Sequence, residues 1–436
     1  MNAPILTILP WLRSFFANAL LWPSMHVQAC RTWLGVLGLA AMSAIAQGAP
    51  THWWLQSTAL TAHELAIVVN EDDPDSRALA ARYQSARGIP VENVITVHAG
   101  TESNLPRTRF ISLREEVLRR TPTGVQAYVL AWTQPWRVDC MSITSAFAFG
   151  FDASYCSERC GASRPSPYFD SDEHAPMSRF GMRPTMLLAG VNATETEQLI
   201  ARGLVADFSM PSGTVYLVRT GDAARNVRAA FFADTAKRYG PAITVHEIGL
   251  DELAGRESIL ALFTGAVRVP GLDSLRFRPG AVADHLTSAG GQLIGGSQMS
   301  ALEWLAAGAT ASYGTVVEPC NHLQKFPHPM AFLRHYLDGA SLIEAYWKSV
   351  AWPGEGLFVG EPLARPFGAR IVEQDGRRWL VGHSAAPRGA LVERATSLPG
   401  PYVRHGLLRL PAGPFRVALP DLPAAVARIT LLPSPR

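Results

Sequence analysis

From residue 65 onward, apolar and polar positions alternate in blocks. Leu65-Ala-Ile-Val-Val69 is a short β-rich apolar run, and Asn70-Glu-Asp-Asp-Pro-Asp-Ser76 supplies turn and N-cap residues. Arg77 to Arg87 follows at helical spacing, Gly88 and Pro90 stop it, and Asn93-Val-Ile-Thr-Val97 is a second strand. Two parallel strands need a crossover between them, so this block predicts a right-handed βαβ unit.

The cycle repeats down the chain. Phe110 to Arg120 predicts a helix and Ala127 to Trp132 a strand; a long loop, residues 133–183, interrupts them. A strand at 185–188 and a helix at 194–205 follow, then strand 214–218, helix 222–239 and strand 243–248. Residues 260–263 and 281–285 predict strands, 299–307 a helix, 310–316 a strand, and 329–350 a helical pair broken at Gly339. Strand alternating with helix specifies an α/β fold, a mostly parallel sheet with helices on both faces. From about Gly368 the pattern changes to short β-like runs with Gly and Pro, which predicts a small β-rich C-terminal appendage. The expected divisions are 60–210 (an α/β subdomain holding the long cysteine-bearing loop), 211–367 (a second α/β subdomain) and 368–436 (the appendage). No fixed-period repeat or low-complexity stretch occurs.

The first fifty residues carry a different signal. Arg31 precedes an apolar run that ends on the small-x-small triplet Ala44-Ile45-Ala46. The run is shorter than the roughly 20 residues of a membrane span, so a cleaved secretory signal over 1–46 is expected rather than an anchor. A second apolar stretch upstream is unusual for such signals. It suggests translation from Met25, with residues 25–31 as the basic n-region.

Composition adds three constraints. Of 436 residues, 48% are hydrophobic and 17% charged, enough for a large core. A net charge of +3 without a Lys/Arg run does not point to nucleic acid, and no stable span is expected in the mature chain. Loss of residues 1–46 removes Cys30 and leaves Cys140, Cys156, Cys160 and Cys320, an even set that favours disulfides in an exported chain and allows three pairings. Cys156 and Cys160 share a polar loop, which suggests a bridge nearby, and Cys320 is expected to reach the Cys140 region. A metal site with His174 as a further ligand is the rival. No cofactor or metal is assigned.

In parallel sheets ligands sit beyond the carboxyl ends of the strands. That rule selects residues 70–73, 133–140, 264–265, 284–288 and 317–322. Asp284, His285 and Ser288 are the catalytic candidates: a hydroxyl nucleophile needs a base and an orienting acid. Neighbours on a strand face opposite ways, so these three converge only if the chain turns at Leu286. The alternative is an Asp and a His that cap the loop through backbone hydrogen bonds. Glu318 and His322 flank Cys320 and are binding candidates, Glu318 for a cation or amine. Trp136 and Arg137 suit a pocket wall for peptide or sugar, or else a packed Pro/Trp loop. Asp152, Asp170, Asp172 and Glu173 form an acidic loop without EF-hand spacing, solvated or holding Ca²⁺.

Several of these segments resemble a known family. They are 70–76, Ala86-Arg-Gly-Ile-Pro90, Trp136-Arg-Val-Asp-Cys-Met-Ser-Ile-Thr-Ser-Ala-Phe147, Ala283-Asp-His-Leu-Thr-Ser288, 308–321 and Val359-Gly-Glu-Pro-Leu-Ala364. The family is an uncharacterised bacterial group that accompanies the exosortase/PEP-CTERM sorting system and is remotely similar in fold to gingipain- and caspase-type peptidases. The resemblance covers about 65–367 and implies a caspase-like subdomain over 211–367. Those peptidases carry His-Gly at one strand end and Cys at the next. Here Thr264 precedes Gly265, and the following strand end has no Cys, so the dyad does not transfer. Two functions are therefore carried forward: a hydrolase or processing factor for exported polypeptide or polysaccharide, in the periplasm or at the cell surface, and a non-catalytic binding scaffold that kept the fold.

Overall fold

The computed structural model describes residues 51–157 and 160–436. The expected signal over 1–46 and the Met25 start lie outside them. β1 (His52–Leu55) opens the described chain. The first α/β stretch runs β2 (Leu65–Asn70), α1 (Ser76–Arg87), β3 (Val94–Val97), α2 (Arg107–Arg120) and β4 (Ala127–Leu130). The expected loop over 133–183 carries structure of its own: β5 (Arg137–Val138), β6 (Met141–Ser142), α3 (Ile143–Phe149) and α4 (Pro176–Phe180). Next come β7 (Thr185–Leu187) and α5 (Ala193–Ala206). The second stretch runs β8 (Thr214–Arg219), α6 (Phe232–Tyr239), β9 (Thr244–Gly249), β10 (Ile259–Thr264), β11 (Phe277–His285), α7 (Ala301–Ala306), β12 (Ala311–Thr315), α8 (Pro329–Leu337), α9 (Leu342–Trp347) and β13 (Gly356–Gly360). The appendage holds β14 (Arg370–Gln374), β15 (Arg377–Ser384), β16 (Arg388–Ala395), β17 (Val403–Leu410), β18 (Gly413–Ala418) and β19 (Val426–Leu431).

Ten strands form one sheet in the order β3-β2-β4-β7-β13-β12-β11-β10-β8-β9. Every neighbouring pair is parallel except β12 with β13. The sheet is thus two parallel halves that run in opposite senses and join at an antiparallel seam. Each half is wound alike. The chain enters on β2, steps out to the edge strand β3, and returns past β2 to β4; β8, β9 and β10 do the same. The carboxyl ends of the two halves consequently lie at opposite ends of the strands, and each half has its own point where strand order reverses, the place such sheets bind ligands. β13, the last strand of the second stretch in sequence, runs parallel to β7 and belongs to the first half of the sheet.

Every residue of β2, β4 and β10 is buried. That is why these strands read as continuous apolar runs rather than alternating ones: helices cover both faces. α5 packs against both α1 and α7, α8 packs against both α6 and α9, and α3 lies on β7 and β13.

The appendage is two small sheets, β14-β15-β18 and β1-β19-β16-β17, with Leu380, Ala390, Phe415, Ile429 and Leu431 between them. β1 joins this appendage by pairing parallel to β19, His52 opposite Val426. That pairing ties the start of the described chain to its end and was not apparent from the pattern. Among the described residues, no helix is long and apolar enough to cross a membrane.

The four cysteines of this region form two disulfides, Cys140–Cys156 and Cys160–Cys320. This corrects the expectation that Cys320 reaches the Cys140 region. Cys140 leaves the β5–β6 hairpin and packs with Cys156 against the main core. That leaves exposed Cys160 to face the loop after β12.

Candidate functional site

β8, β10, β11 and β12 end side by side at one edge of the second half. The loops that follow enclose a cavity of about 380 Å³, whose lining includes Arg225, Thr287, Ser288, Glu318, Asn321 and the Cys160–Cys320 bridge. Close packing of the strand ends shapes it. A Cβ on Gly265 would lie 1.9 Å from the Arg225 carbonyl oxygen, so only glycine lets the end of β10 pass beneath that loop. Thr220 Oγ1 donates to the Gly265 carbonyl at 2.7 Å and holds the approach. Similarly, a Cβ on Gly314 of β12 would meet the Gly290 backbone at 2.3 Å, which presses the loop after β11 onto β12. Thr315 Oγ1 donates to the carbonyls of Thr287 and Ser288 at 3.0 and 3.1 Å. This leaves Ser288 half-buried at the lip of the cavity.

Arg225 is the cation of the cavity. Its Nη1 donates to Asp222 Oδ2 at 2.8 Å and its Nε to Thr287 Oγ1 at 3.1 Å. Thr287 Oγ1 in turn donates to Gln298 Oε1 at 2.6 Å. The guanidinium is thus oriented from two sides, and its Nη2 has no hydrogen-bond partner among the described residues. Glu318 is the anion: exposed, with Oε1 accepting from the Cys320 backbone N–H at 2.8 Å.

The predicted catalytic trio does not assemble. β11 turns Asp284 and His285 to opposite faces, and both lie in the core. The Asp284 carboxylate accepts from Arg228, whose Nη2 also donates to the Thr264 carbonyl at 2.6 Å. Burial pushes the Asp284 carboxyl up, to about 6, against the pull of Arg228. On the other face, His285 Nδ1 accepts from the Trp304 indole N–H at 2.9 Å, and Nε2–H donates to the Met299 carbonyl at 3.1 Å. Those two bonds fix the neutral tautomer, and burial holds the ring far below its usual range, at about 4. With both nitrogens engaged inside the core, His285 offers no base to Ser288.

The remaining candidates divide. Glu318 and Cys320 line the cavity; His322 does not, because its Nε2 donates to the Cys160 carbonyl at 2.7 Å and clamps the bridged loop. Trp136 is in the core, 5% exposed, and Arg137 stacks on it at 5.3 Å in the β5–β6 hairpin. The packed-loop alternative therefore describes these two, and neither forms a wall of the cavity. In the acidic loop, Asp170 and Asp172 accept from Arg334 at 2.8 and 2.6 Å, and Asp152 from Arg164 at 3.1 Å. Arginines thus take three of the charges for which Ca²⁺ was considered, and Glu173 accepts the backbone N–H groups of His174 and Ala175 at 2.9 and 3.0 Å. His174 faces Glu344 at 3.6 Å, not the cysteines.

Beneath the bridged loop lies a second buried pair. Lys325 Nζ donates to Glu355 Oε1 at 2.7 Å and also to Ser157, while the Ser157 backbone N–H donates to the same Glu355 oxygen. Burial lowers the Lys325 ammonium and Glu355 counters it. This pair anchors the loop from below.

Arg225 was missed, and Thr287, inside the selected stretch 284–288, was given no role. Strand-end reasoning applied to the other strands omitted the end of β8, and residues 222–239 read as one helix. In fact Asn226–Phe231 is 3-10 and the α-helix starts at Phe232, so residues 220–225 are loop at a strand's carboxyl end. The first half has a smaller counterpart of about 190 Å³ beside the starts of α1 and α5, with Asp73, Asp75, Arg82 and Glu197 in its lining.

No protein-family model matches the chain, and no curated protein does. A solved structure described as "Structure of Protease" is similar to 83% of this chain and 98% of its own length, at 9% identity and a TM-score of 0.43. At that distance the likeness says nothing about chemistry.

Proposed function

We propose that the protein is an extracytoplasmic polypeptide-binding protein that takes its ligand in the crevice beyond β10, β11 and β12. The observation that carries this reading is the pairing of an oriented guanidinium, Arg225, with an exposed carboxylate, Glu318, around a cavity that also offers Ser288 and Asn321. Opposite charges plus hydroxyl and amide groups match the charged side chains and backbone amides of a peptide. A sugar site would be expected to present an exposed aromatic platform, and Phe326, the aromatic residue in the lining of this cavity, is buried at 2% exposure. Two disulfides and the amino-terminal signal pattern support an oxidising compartment. The segments that resemble an exosortase-associated family favour exported polypeptides as the ligand class.

The test is binding of a fluorescent peptide library to the native protein and to Arg225→Met and Glu318→Gln. Loss of one charge-assisted contact should weaken the best peptides by ~10–100-fold, about 1.5–3 kcal/mol. Equal binding by Arg225→Met would remove the crevice from the account. Cleavage of bound peptides would replace binding by hydrolysis.

A further inference from the structure

The two disulfides differ in setting. Cys140 and Cys156 pack against the main core and join neighbouring loops, 16 residues apart. Cys160 and Cys320 are 160 residues apart, and both line the cavity. Cys160 is exposed and Cys320 half-buried. Both also sit at positive φ, 63° and 57°, in the left-handed region that side-chain-bearing residues rarely occupy. Release of the bond frees both backbones to leave that region. Exposure and local strain are the features that make a disulfide exchangeable.

What the bridge holds together is the cavity mouth. On one side is the loop after β12, where Glu318 accepts the Cys320 N–H. On the other is the segment that continues past Cys160 toward Arg164, itself tied to Asp152. Besides the bond, one hydrogen bond among the described residues, His322 Nε2 to the Cys160 carbonyl, crosses between the two sides here. Ser157 stays anchored to Lys325 and Glu355, so opening would be local to the mouth.

We propose that Cys160–Cys320 is a thiol-responsive clasp on the crevice, opened by thiol–disulfide exchange while Cys140–Cys156 stays closed. A thiolate, supplied by a small thiol or a cysteine-bearing polypeptide, attacks exposed Cys160 Sγ. The sulfur–sulfur bond breaks and its electron pair leaves on Cys320 Sγ. A second thiol attacks the resulting mixed disulfide and releases Cys160. Two thiols are oxidised to one disulfide, and the protein disulfide is reduced to two thiols. The consequence for ligand binding rests on the crevice reading; the exchange itself does not.

The experiment titrates native oxidised protein with reduced glutathione, quenches with iodoacetamide and maps the alkylated cysteines by mass spectrometry. Hydrogen exchange is followed on the same samples. Cys160 and Cys320 should be modified at a thiol concentration at least ~10-fold below that needed for Cys140 and Cys156. Amide exchange should rise at residues 160–166 and 316–322 and stay unchanged in β10 and β11. The proposal is overturned if both bridges open together, if Cys140–Cys156 opens first, or if the mouth segments exchange no faster once the bond is open. Peptide binding to the untreated oxidised protein is measured separately, so a failed binding assay bears on the crevice and a failed alkylation pattern on the clasp.

Discussion

Asp284→Leu discriminates a structural carboxylate from a catalytic one. Asp284 and Arg228 are ion-paired with side chains 1% and 2% exposed. Removing one member of a buried pair leaves the other charge uncompensated, at a cost of about 3–5 kcal/mol. Arg228 retains some help: its Nη2 still donates to the Thr264 carbonyl at 2.6 Å, and its guanidinium lies 5.4 Å from the Phe263 ring. The expected loss therefore sits near the lower end, about 3 kcal/mol, or a fall in Tm of about 4 °C for a body of this size. Arg228→Met combined with Asp284→Leu replaces the pair by apolar groups and should recover most of that loss, to within about 1–2 kcal/mol of the native protein. Urea unfolding at pH 7 with disulfides intact, followed by tryptophan fluorescence, measures the cycle. A single Asp284→Leu variant within about 1 kcal/mol of native, or a double variant no better than the single, would refute the argument. So would full stability in both with loss of a hydrolytic activity.

Three further outcomes follow from the same geometry. His285 titrates at about 4 when folded against 6.5 otherwise, so its contribution is complete above pH 6.5 and is lost as pH falls; at pH 5 the loss is about 2 kcal/mol, and Trp304→Phe should lessen this pH dependence by freeing Nδ1 to hold a proton. Gly265→Ala forces the Arg225 loop away, which should cost about 1–3 kcal/mol in denaturant titration and abolish peptide binding together. Lys325→Met strands the buried Glu355 carboxylate under the bridged loop and should destabilise by about 3 kcal/mol in urea unfolding at pH 7; a loss under about 1 kcal/mol would contradict the pairing.

The fold was largely legible, and the failures have physical reasons. Continuous apolar runs such as 65–69 and 260–263 identified buried parallel strands because covering both faces leaves no polar positions to interrupt them. β13, Gly-Leu-Phe-Val-Gly, escaped because five residues bounded by glycine carry no period. Its role as the seam comes from long-range pairing with β12. β1 escaped for the same reason: its partner β19 lies at the far end of the chain. At the site, strand-end reasoning found Ser288, Glu318 and Cys320 but could not tell that His285 looks inward, since that depends on Trp304 and Met299 arriving from another element. Residues 222–225 read as the start of a helix, and Arg225 went unnoticed. Cysteine pairing could not be deduced because it depends on which loops meet across the strand ends.

The most direct test of the central claim incubates the native oxidised protein with a defined pool of peptides, recovers the bound fraction, and sequences both the peptides and their termini. The crevice account predicts intact peptides, enriched over the pool and no longer enriched with Arg225→Met. New termini generated by the native protein but not by Ser288→Ala, or enrichment that survives Arg225→Met, would contradict it.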